Sequence, residues 1–362
     1  MHVPAWQRLV EMAIEPNPFY EPALLLPAIE FLQGSSRLEF ALVYAQRRKH
    51  PAGPPVLCGL FPLERIRRLE AVSYVSLWQH LHCFLSTPLL RRDAAAETWE
   101  AFLNWLANDP DGAAVIRFPS LAGEGKVHQL LIEALHRRGH PVWTSRRYVR
   151  ALFQPSADAE AYTLASMCRK RRHELRRLEN RLSETGTLSR TELLPGDDLE
   201  AWLDEFLALE SRGWKGRKAT ALGCATKDAA FFRTAAREAF ARGQLMMLDL
   251  RHNGRPIAMK CNFLSADGGV AFKIAFDEGF ARYSPGALLE MDNITRLHER
   301  PDVAWMDSCA DPDHPMINHL WSDRRTIETL WASTGRRGGN LLVSVLPALK
   351  WLKNLRGSKQ TS

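Results

Sequence analysis

The stretch Val270-Ala-Phe-Lys-Ile-Ala-Phe276, followed by Asp277-Glu-Gly-Phe-Ala-Arg-Tyr-Ser-Pro-Gly-Ala287, decides the fold of this 362-residue chain. Its apolar and aromatic start predicts a strand. The Ser284-Pro285 step predicts a helix, because serine suits a helix cap and proline suits the first helical position. A helix that begins directly after a strand presents backbone N–H groups and a positive dipole end, which favours phosphate, and Gly286 allows close approach. An ordinary capped helix is the alternative interpretation.

The residues before this junction predict an antiparallel meander. Gln244–Arg251 and Pro256–Phe263 are apolar runs joined by Asn253-Gly254, which is the strongest short hairpin signal. Asp267-Gly268-Gly269 then turns the second run into the strand at 270–276. Three strands in succession therefore lead into the predicted helix.

Helical periodicity flanks the meander on both sides. Glycines end the upstream helices that we predict over 158–185, 197–212 and 227–242. Downstream, we predict a helix from Pro285 to about Glu299, a strand over 303–306 and a helix over 315–331.

The first half of the chain repeats a similar order of elements. Strands are predicted over 38–45, 55–61, 113–118 and 142–153, and helices over 93–107 and 126–138. This repetition indicates a duplicated α/β unit. We therefore predict an N-terminal unit at 1–154, a C-terminal unit at 155–340, and a tail at 341–362 that forms a strand and a short helix. Interfacial membrane binding is the alternative for the tail.

The composition is that of a soluble globular protein with 46% hydrophobic and 25% charged residues, which argues against disorder and fibrous repeats. The 48 basic and 41 acidic residues leave a net charge of +7, which favours an anionic partner. Six cysteines are scattered without a C-x-x-C pair, so neither a disulfide framework nor a zinc knuckle is expected. We expect a cytoplasmic protein, with peripheral attachment to the inner membrane as a variant of that location.

Four segments and one helix carry a family resemblance. The segments are Leu209-Glu-Ser-Arg-Gly-Trp-Lys-Gly216, Phe272-Lys-Ile-Ala-Phe-Asp-Glu278, Tyr283-Ser-Pro-Gly286 and Asp307-Ser-Cys-Ala310, and the helix is the basic one at 169–181. Together they resemble the CelD-like, cellulose-biosynthesis-type members of the FemAB-like branch of the GNAT acyltransferases over residues 160 to 335. The resemblance implies an α/β (α+β) fold of two tandem GNAT-like units, each a mixed, mostly antiparallel sheet flanked by helices.

The resemblance also implies an N-acyltransferase that takes acetyl-CoA or another acyl-CoA as co-substrate. The cofactor-binding residues would then be those of the turn and helix start, namely Arg282, Tyr283, Ser284, Gly286 and Ala287. Pro285 stands where the family fingerprint has its first glycine, so one backbone donor is missing. FemAB relatives with such turns use aminoacyl-tRNA, and acyl carrier protein is a third possible donor.

Direct attack of an amine on a thioester needs a base and a donor that stabilises the oxyanion. Glu210 is the first candidate base, because the apolar residues around it would raise its pKa into the useful range. Pairing of Glu210 with Arg212 or Lys215 is the alternative. Asp277, together with Glu278, is the next candidate base, although both could simply complement the helix dipole.

Ser308 is a candidate donor of a proton to the leaving thiolate.

Trp214, Lys215, Lys273, Asp307 and His314 are the candidate substrate-binding residues. Trp214 and Lys215 would form a loop over the substrate, with a core position as the alternative for Trp214. An inward-pointing Lys273 would need a partner, and Asp307 is a reasonable one. The spacing from Asp307 to His314 matches no strong zinc template, so no metal is expected.

The helix at 169–181 carries seven basic and two acidic residues beside a stripe of leucines. A solvated basic face is the simplest interpretation. The alternatives are binding of tRNA, acyl carrier protein or an anionic lipid surface. The predicted acceptor is a small-molecule or glycan amine, and the oligomeric state is not determined by the sequence. Two other functions stay open, namely a FemAB-type transferase that uses aminoacyl-tRNA and a non-catalytic partner in polysaccharide or envelope assembly.

Overall fold

The structure is a computed structural model that describes residues 2–34, 37–46, 53–66 and 73–358. The chain divides into two compact units. Unit 1 comprises Met1–Pro22, Gln33–Val149 and Thr326–Ser362, and unit 2 comprises Ala23–Leu32 and Arg150–Arg325.

The helices and strands are numbered in chain order. The helices are α1 Val3–Glu11, α2 Pro22–Leu32, α3 Ala95–Asn108, α4 Lys126–Arg137, α5 Ala159–Ser166, α6 Arg169–Ser183, α7 Leu199–Arg212, α8 Trp214–Arg217, α9 Thr226–Phe240, α10 Pro285–His298 and α11 Gly339–Ser358. The strands are β1 Leu38–Ala45, β2 Val56–Ile66, β3 Tyr74–Leu77, β4 Leu89–Leu90, β5 Val115–Ala122, β6 Val142–Phe153, β7 Leu188–Glu192, β8 Leu245–His252, β9 Arg255–Ser265, β10 Gly268–Phe276, β11 Trp305–Asp307 and β12 Asp323–Ser333.

In unit 1 the strands β1, β2 and β3 form an antiparallel meander. β3 then pairs with β5 in parallel, and β12 pairs antiparallel with β5. Helices α3 and α4 cover this sheet with fully buried residues that include Trp99, Phe102 and Leu131. The sheet is therefore mixed and mostly antiparallel.

In unit 2 the strands β7, β8, β9 and β10 follow one another antiparallel. β10 pairs with β11 in parallel, and β11 pairs antiparallel with Leu152 and Phe153 at the end of β6. Each unit thus consists of a meander, a helix and a strand parallel to the end of the meander, which confirms the predicted repeat of an α/β unit.

One face of the unit 2 sheet carries α10, and the other carries α7 and α9. Apolar residues of α10 such as Leu289 and Ile294 join a core with β8 and β9, and α5 and α6 contribute Tyr162 and Leu175 to the same core. On the other face, Phe272 of β10 stacks on Phe232 of α9 with parallel rings 6.2 Å apart.

Most predicted elements of the second half are confirmed, including the Asn253-Gly254 turn, whose residues have φ of 50° and 76°. The predicted helix over 315–331 is wrong, because the chain forms one 3₁₀ turn at Ile317–His319 and then strand β12. The predicted helix over 158–185 is broken between α5 and α6, where Met167 and Cys168 are extended.

The predicted boundary at 154/155 lies close to the change of unit between Val149 and Arg150. The predicted tail begins within α11, which continues as one helix to Ser358. The strand predicted at the start of the tail, from residue 341, is therefore wrong. Residues 359–362 of that tail lie outside the described residues.

Candidate functional site

The two parallel strands of unit 2 separate at a fork. β10 and β11 pair only through Gly268–Val270 and Trp305–Asp307, and β11 ends at Asp307 while β10 continues to Phe276. A register shift between Ala271 and Lys273 adds a bulge where the strands part. We call the fork the region formed by residues 271–276 of β10 and residues 308–314 after β11.

A buried carboxylate lies close to two lysines on one face of the fork. Glu210 lies at the end of α7 and is 2% exposed. Its Oε1 is 3.1 Å from Lys215 Nζ and 3.8 Å from Lys273 Nζ, and its Oε2 accepts a hydrogen bond from the Leu222 N–H. Lys215 Nζ also donates to the carbonyl of Ile274 over 2.9 Å, so it reaches the β10 backbone inside the fork.

The local backbone fixes Lys215 in this place. It belongs to the short helix α8, which follows α7 after Gly213. A Cβ on Gly216 would overlap the carbonyl oxygen of Ser211, so only glycine lets α8 approach α7 this closely. The predicted alternative of a Glu210–Lys215 pair is therefore what the structure has.

The predicted pairing of Lys273 with Asp307 is wrong. Asp307 is fully buried, where Arg150 Nε lies 2.6 Å and Arg325 Nη1 3.0 Å from its carboxylate. Burial raises the pKa of Asp307, but the two guanidinium groups outweigh it and hold that pKa below its usual range. Asp307 therefore anchors the end of β11 rather than reaching Lys273.

Burial lowers the pKa of Lys273, and the charge of Glu210 opposes that shift. The pKa of Lys273 consequently stays below the ordinary lysine value, which enriches the neutral amine at a given pH. A larger fraction of Lys273 than of a solvent-exposed lysine is therefore in the neutral form that can accept a proton.

A second ion pair lies on the α10 face of the sheet, and sequence reasoning missed it. Lys260 of β9 donates to Glu290 of α10 over 2.7 Å, and both side chains are buried. Trp321 Nε1 and Asn293 Nδ2 donate to the other oxygen of Glu290, over 3.0 and 2.9 Å. Lys260 pairs across the strands with Ile274, so both side chains share one face beside the fork. The only sequence signal was a lysine inside an apolar strand.

His314 ends the fork on the β11 side. Its Nδ1 accepts from the backbone N–H groups of Met316 and Ile317, each over 3.3 Å. Burial lowers the pKa of His314, and Lys260 and Lys215 lower it further against the opposing charge of Asp311. The neutral imidazole therefore carries its proton on Nε2, which makes His314 a hydrogen-bond donor.

Ser308 lies at the base of the same segment and is 7% exposed. Its Oγ accepts from the N–H of Ala310 over 3.3 Å, which leaves the hydroxyl hydrogen to donate elsewhere.

The start of α10 offers few backbone donors. Pro285 has no N–H, and the N–H groups of Ala287 and Leu288 both go to the carbonyl of Ser284, over 2.9 and 3.1 Å. Ser284 has a φ of 54° and makes no side-chain cap. Of these first helical residues, only Gly286 has an N–H that the described hydrogen bonds leave unused.

The remaining predicted cofactor residues lie on the preceding 3₁₀ helix, Glu278–Tyr283. The Arg282 guanidinium lies over the ring of Tyr283 at 4.8 Å from its centroid, and Tyr283 is buried while Arg282 is exposed. Ala287 is buried one turn into α10. These residues are therefore together at one end of α10, but their side chains present a single cation.

The second candidate base, Asp277, caps the 3₁₀ helix. Its Oδ1 accepts from the N–H of Gly279, and its Oδ2 accepts from Arg255 over 3.1 Å. The neighbouring Glu278 forms a bidentate pair with Arg217 over 2.8 and 3.0 Å. Asp277 is thus engaged as a cap and in an ion pair, and Glu278 in an ion pair. The backbone of Trp214 begins α8, but its side chain lies outside the described residues.

Helix α6 has the predicted amphipathic character. Leu175, Leu178 and Leu182 are buried, and most of its basic side chains lie on the exposed face. Within the described ranges, no helix is apolar for long enough to cross a membrane. Nor do three His, Cys, Asp or Glu side chains meet anywhere in the described chain as a group that could hold a metal ion.

Residues 169–314 match the family model of the acetyltransferase (GNAT) domain. No curated protein matches the chain.

Among solved structures, the fold is similar to that of FemX (9% identity, TM-score 0.60), with 92% of this chain and 96% of that chain covered. It is also similar to a conserved protein of unknown function from Bacteroides thetaiotaomicron (12% identity, TM-score 0.56), with 92% and 97% covered. A third similar structure is the C-terminal domain of a protein described as a lysylphosphatidylglycerol synthetase from Agrobacterium fabrum (11% identity, TM-score 0.52), with 96% of each chain covered.

The match to the family model confirms the GNAT part of the resemblance on which the sequence-based predictions rest. The matched segment is a GNAT acetyltransferase domain and contains α6 to α10, β7 to β11 and the whole fork. Acyl transfer is therefore the reaction class of this domain, and the similar structures agree with its fold.

Proposed function

We propose that this protein, which carries a GNAT acetyltransferase domain, transfers an acyl group to an amine inside the fork of unit 2. One observation carries the proposal. The β10 backbone runs on past the end of β11 and is surrounded there by Lys215, Lys273 and His314, with Glu210 beneath the two lysines. An open strand edge next to polarised side chains suits an extended donor whose carbonyl is attacked in place.

Each group in the fork has a separate role in the proposed reaction. The acceptor amine attacks the donor carbonyl, forming the C–N bond, and the C–S bond of a thioester donor then breaks. The neutral form of Lys273, whose population its lowered pKa increases, takes the proton that the amine releases, and the Glu210 carboxylate at 3.8 Å stabilises the resulting ammonium. Lys273 is thus the proton acceptor, and Glu210 positions it and balances its charge. The Nε2–H of His314 and the hydroxyl of Ser308 donate to the developing oxyanion and to the leaving thiolate.

Acyl-CoA is the donor that we propose first, with its diphosphate at the start of α10 and Arg282 beside it. The acceptor would be a small-molecule or glycan amine that reaches Lys273 from the α7 face. A tRNA-dependent transferase is the second candidate. It is favoured by the single unused N–H at Gly286 and by the basic exposed face of α6, both of which suit a donor held by side-chain cations.

Titration calorimetry with acetyl-CoA, free CoA and longer acyl-CoAs tests the donor. Saturable binding that is weakened in Gly286→Leu supports the acyl-CoA proposal. If charged tRNA binds and none of the CoA compounds does, the result supports the tRNA-dependent transferase. If neither class of donor binds, the result favours a non-catalytic assembly partner.

Single-turnover kinetics test the proton acceptor. Lys273→Met is expected to slow acyl transfer by about 10²- to 10⁴-fold, the usual contribution of acid–base catalysis. Lys227→Met is the matched control, because Lys227 is an exposed lysine at the start of α9. Equal rates in both variants would remove Lys273 from the mechanism.

A further inference from the structure

Apart from the fork, unit 2 has a cavity between α5, α6, β7 and α10. Its volume is about 200 Å³, and it is lined by Thr163, Met167, Arg172, Leu175, Arg176, Glu179, Arg190, Leu288, Met291 and Asp292. The acyl-transfer mechanism uses none of these residues. We call it the α6–α10 cavity.

The α6–α10 cavity and the fork lie on opposite sides of α10. Gly286, Glu290 and Asn293 are spaced by four and three residues and face the β-sheet, where Glu290 meets Lys260 and Asn293 meets Asn262. Leu288, Met291 and Asp292 lie on the other side of the helix and line the cavity. A ligand in the cavity therefore does not compete for the groups in the fork.

At the polar end of the cavity, the arginines have more N–H donors than the two carboxylates of the cavity accept from. The Arg190 Nε lies 2.8 Å from both carboxylate oxygens of Asp292, and its Nη2 donates to Glu179. Arg172 uses one terminal nitrogen to donate to backbone carbonyls at the end of α5. Its remaining donors face no partner among the described residues, and neither does any donor of Arg176.

Arg172 and Arg176 are one helical turn apart on one side of α6, and both line the cavity. Two neighbouring guanidinium groups suit a carboxylate or a phosphate, which accepts several N–H bonds at once. The three arginines and two carboxylates that line the cavity leave a surplus of one positive charge, 3 − 2 = +1. The wall therefore favours one anionic group.

The rest of the wall is apolar. Leu175 is 4% and Leu288 is 3% exposed, and Met167 and Met291 complete that side. Flexible methionine side chains adapt to apolar ligands of differing shape. The volume of about 200 Å³ holds about seven water-sized units, at about 30 Å³ for each.

From this juxtaposition we propose that the α6–α10 cavity is a binding site for a small amphipathic anion. The ligand has an apolar body of roughly six to eight heavy atoms against Leu175, Leu288 and Met291, and a carboxylate or phosphate that pairs with Arg172 and Arg176. The inference is independent of the proposed acyl donor, because the cavity and the fork share only the helix between them.

Titration calorimetry with hexanoate, hexyl phosphate, inorganic phosphate and hexylamine tests the site on the full chain. Saturable binding of hexanoate or hexyl phosphate, with none of hexylamine, is expected, and the stronger of the two identifies the anionic group. Arg176→Gln is expected to weaken that binding at least tenfold. Arg177→Gln is the matched control, because Arg177 is the next exposed arginine of α6 but pairs with Glu174 outside the cavity.

Met291→Trp supplies an independent variant that fills the apolar part, with its folding checked by thermal denaturation. Loss of hexanoate and hexyl phosphate binding in this variant, with retention in Lys273→Met, supports the site whatever the donor in the fork. The proposal is overturned if neither amphipathic anion binds. It is equally overturned if inorganic phosphate binds as tightly as hexyl phosphate, or if Arg177→Gln and Arg176→Gln weaken binding alike, since either result indicates a general basic surface.

Discussion

Glu210→Gln tests whether a buried carboxylate holds the fork together. The substitution keeps the volume of the side chain and an oxygen that can accept from the Leu222 N–H, but it removes the charge shared by Lys215 and Lys273. Two ammonium groups then lie near each other without a counter-charge. Loss of one partner from a buried ion pair costs about 3–5 kcal/mol.

The exposure of the two lysines sets where in that range the loss falls. The Lys215 side chain is 22% exposed and that of Lys273 is 13% exposed, so water compensates part of the lost attraction. We therefore expect the free energy of unfolding to fall by about 3 kcal/mol at pH 7.

The pH dependence of this loss has a definite sign. Burial lowers the pKa of Lys273 in the folded protein, and Glu210 is the main charge that opposes the shift. Without Glu210 that pKa falls further below its unfolded value. A base with a lowered folded pKa binds fewer protons when folded, so its contribution to stability improves as pH rises. The deficit of the variant should therefore narrow as pH rises from 7 toward the ordinary lysine range.

Urea denaturation monitored by tryptophan fluorescence at several pH values measures the loss. Glu278→Gln is the matched control, because Glu278 is a half-buried carboxylate paired with the exposed Arg217, and such pairs contribute about 0.2–1 kcal/mol. A loss for Glu210→Gln no larger than that of the control, or a deficit that grows with pH, would refute the account of the buried cluster.

Four further predictions follow from the same geometry. Gly286→Ala should fold normally, because a Cβ there would lie 3.7 Å from its nearest neighbours, whereas Gly286→Leu should lower acyl-CoA affinity at least tenfold in calorimetry. His314→Gln should reduce kcat by about 10²- to 10³-fold with little change in KM, as loss of a transition-state donor does; an unchanged kcat would exclude that role. Replacing both Arg177 and Arg181 of α6 with Glu should leave acetyl transfer from acetyl-CoA unchanged in a steady-state assay. If the same variant instead loses salt-dependent activity with charged tRNA, the result would favour the tRNA-dependent alternative. Burial raises the pKa of Asp292 to about 6 against the charge of Arg190, so hexanoate, which is ionised at both pH values, should bind more tightly at pH 6 than at pH 7.5, and Asp292→Asn should remove that difference in calorimetry.

Charged side chains from three elements surround Asp292. Arg172, Arg176 and Glu179 of α6 line the same cavity, Arg190 comes from β7, and Arg296 of α10 also lowers the pKa of Asp292. Protonation of Asp292 removes a negative charge from this set, which leaves the cavity more positive toward an anion.

The meander and its junction with α10 could be predicted because local signals agree there. Asn253-Gly254 fixes a turn by its positive φ, and Pro285 fixes the start of the helix. The helix predicted over 315–331 is wrong, because this part of the chain forms one 3₁₀ turn and then β12. The β-branched run from Thr326 to Thr329 carried the better signal, since such residues favour strands.

The site could be predicted as a set of residues but not as a set of contacts. Glu210, Lys215 and Lys273 were each identified, yet their meeting depends on a glycine at 216 that lets α8 approach α7. Lys260 was missed because a single lysine in a strand has the same pattern whether it faces water or a buried carboxylate. The partner of a buried charge is a property of tertiary packing, and only the folded chain reveals it.

The start of α10 differs physically from a phosphate-binding helix start with several free N–H groups. Each hydrogen bond to a charged group contributes about 1.5–3 kcal/mol, and neither Pro285 nor Ala287 donates one to a ligand here. The loss of two such donors alone lowers the affinity for a diphosphate by about 3–6 kcal/mol, which is two to four orders of magnitude. A donor that binds this chain must therefore gain its affinity elsewhere, from Arg282 and from contacts along β10 inside the fork. In the proposed mechanism those contacts lie next to the reacting carbonyl, so the proposal requires that recognition of the donor and catalysis depend on the same few side chains.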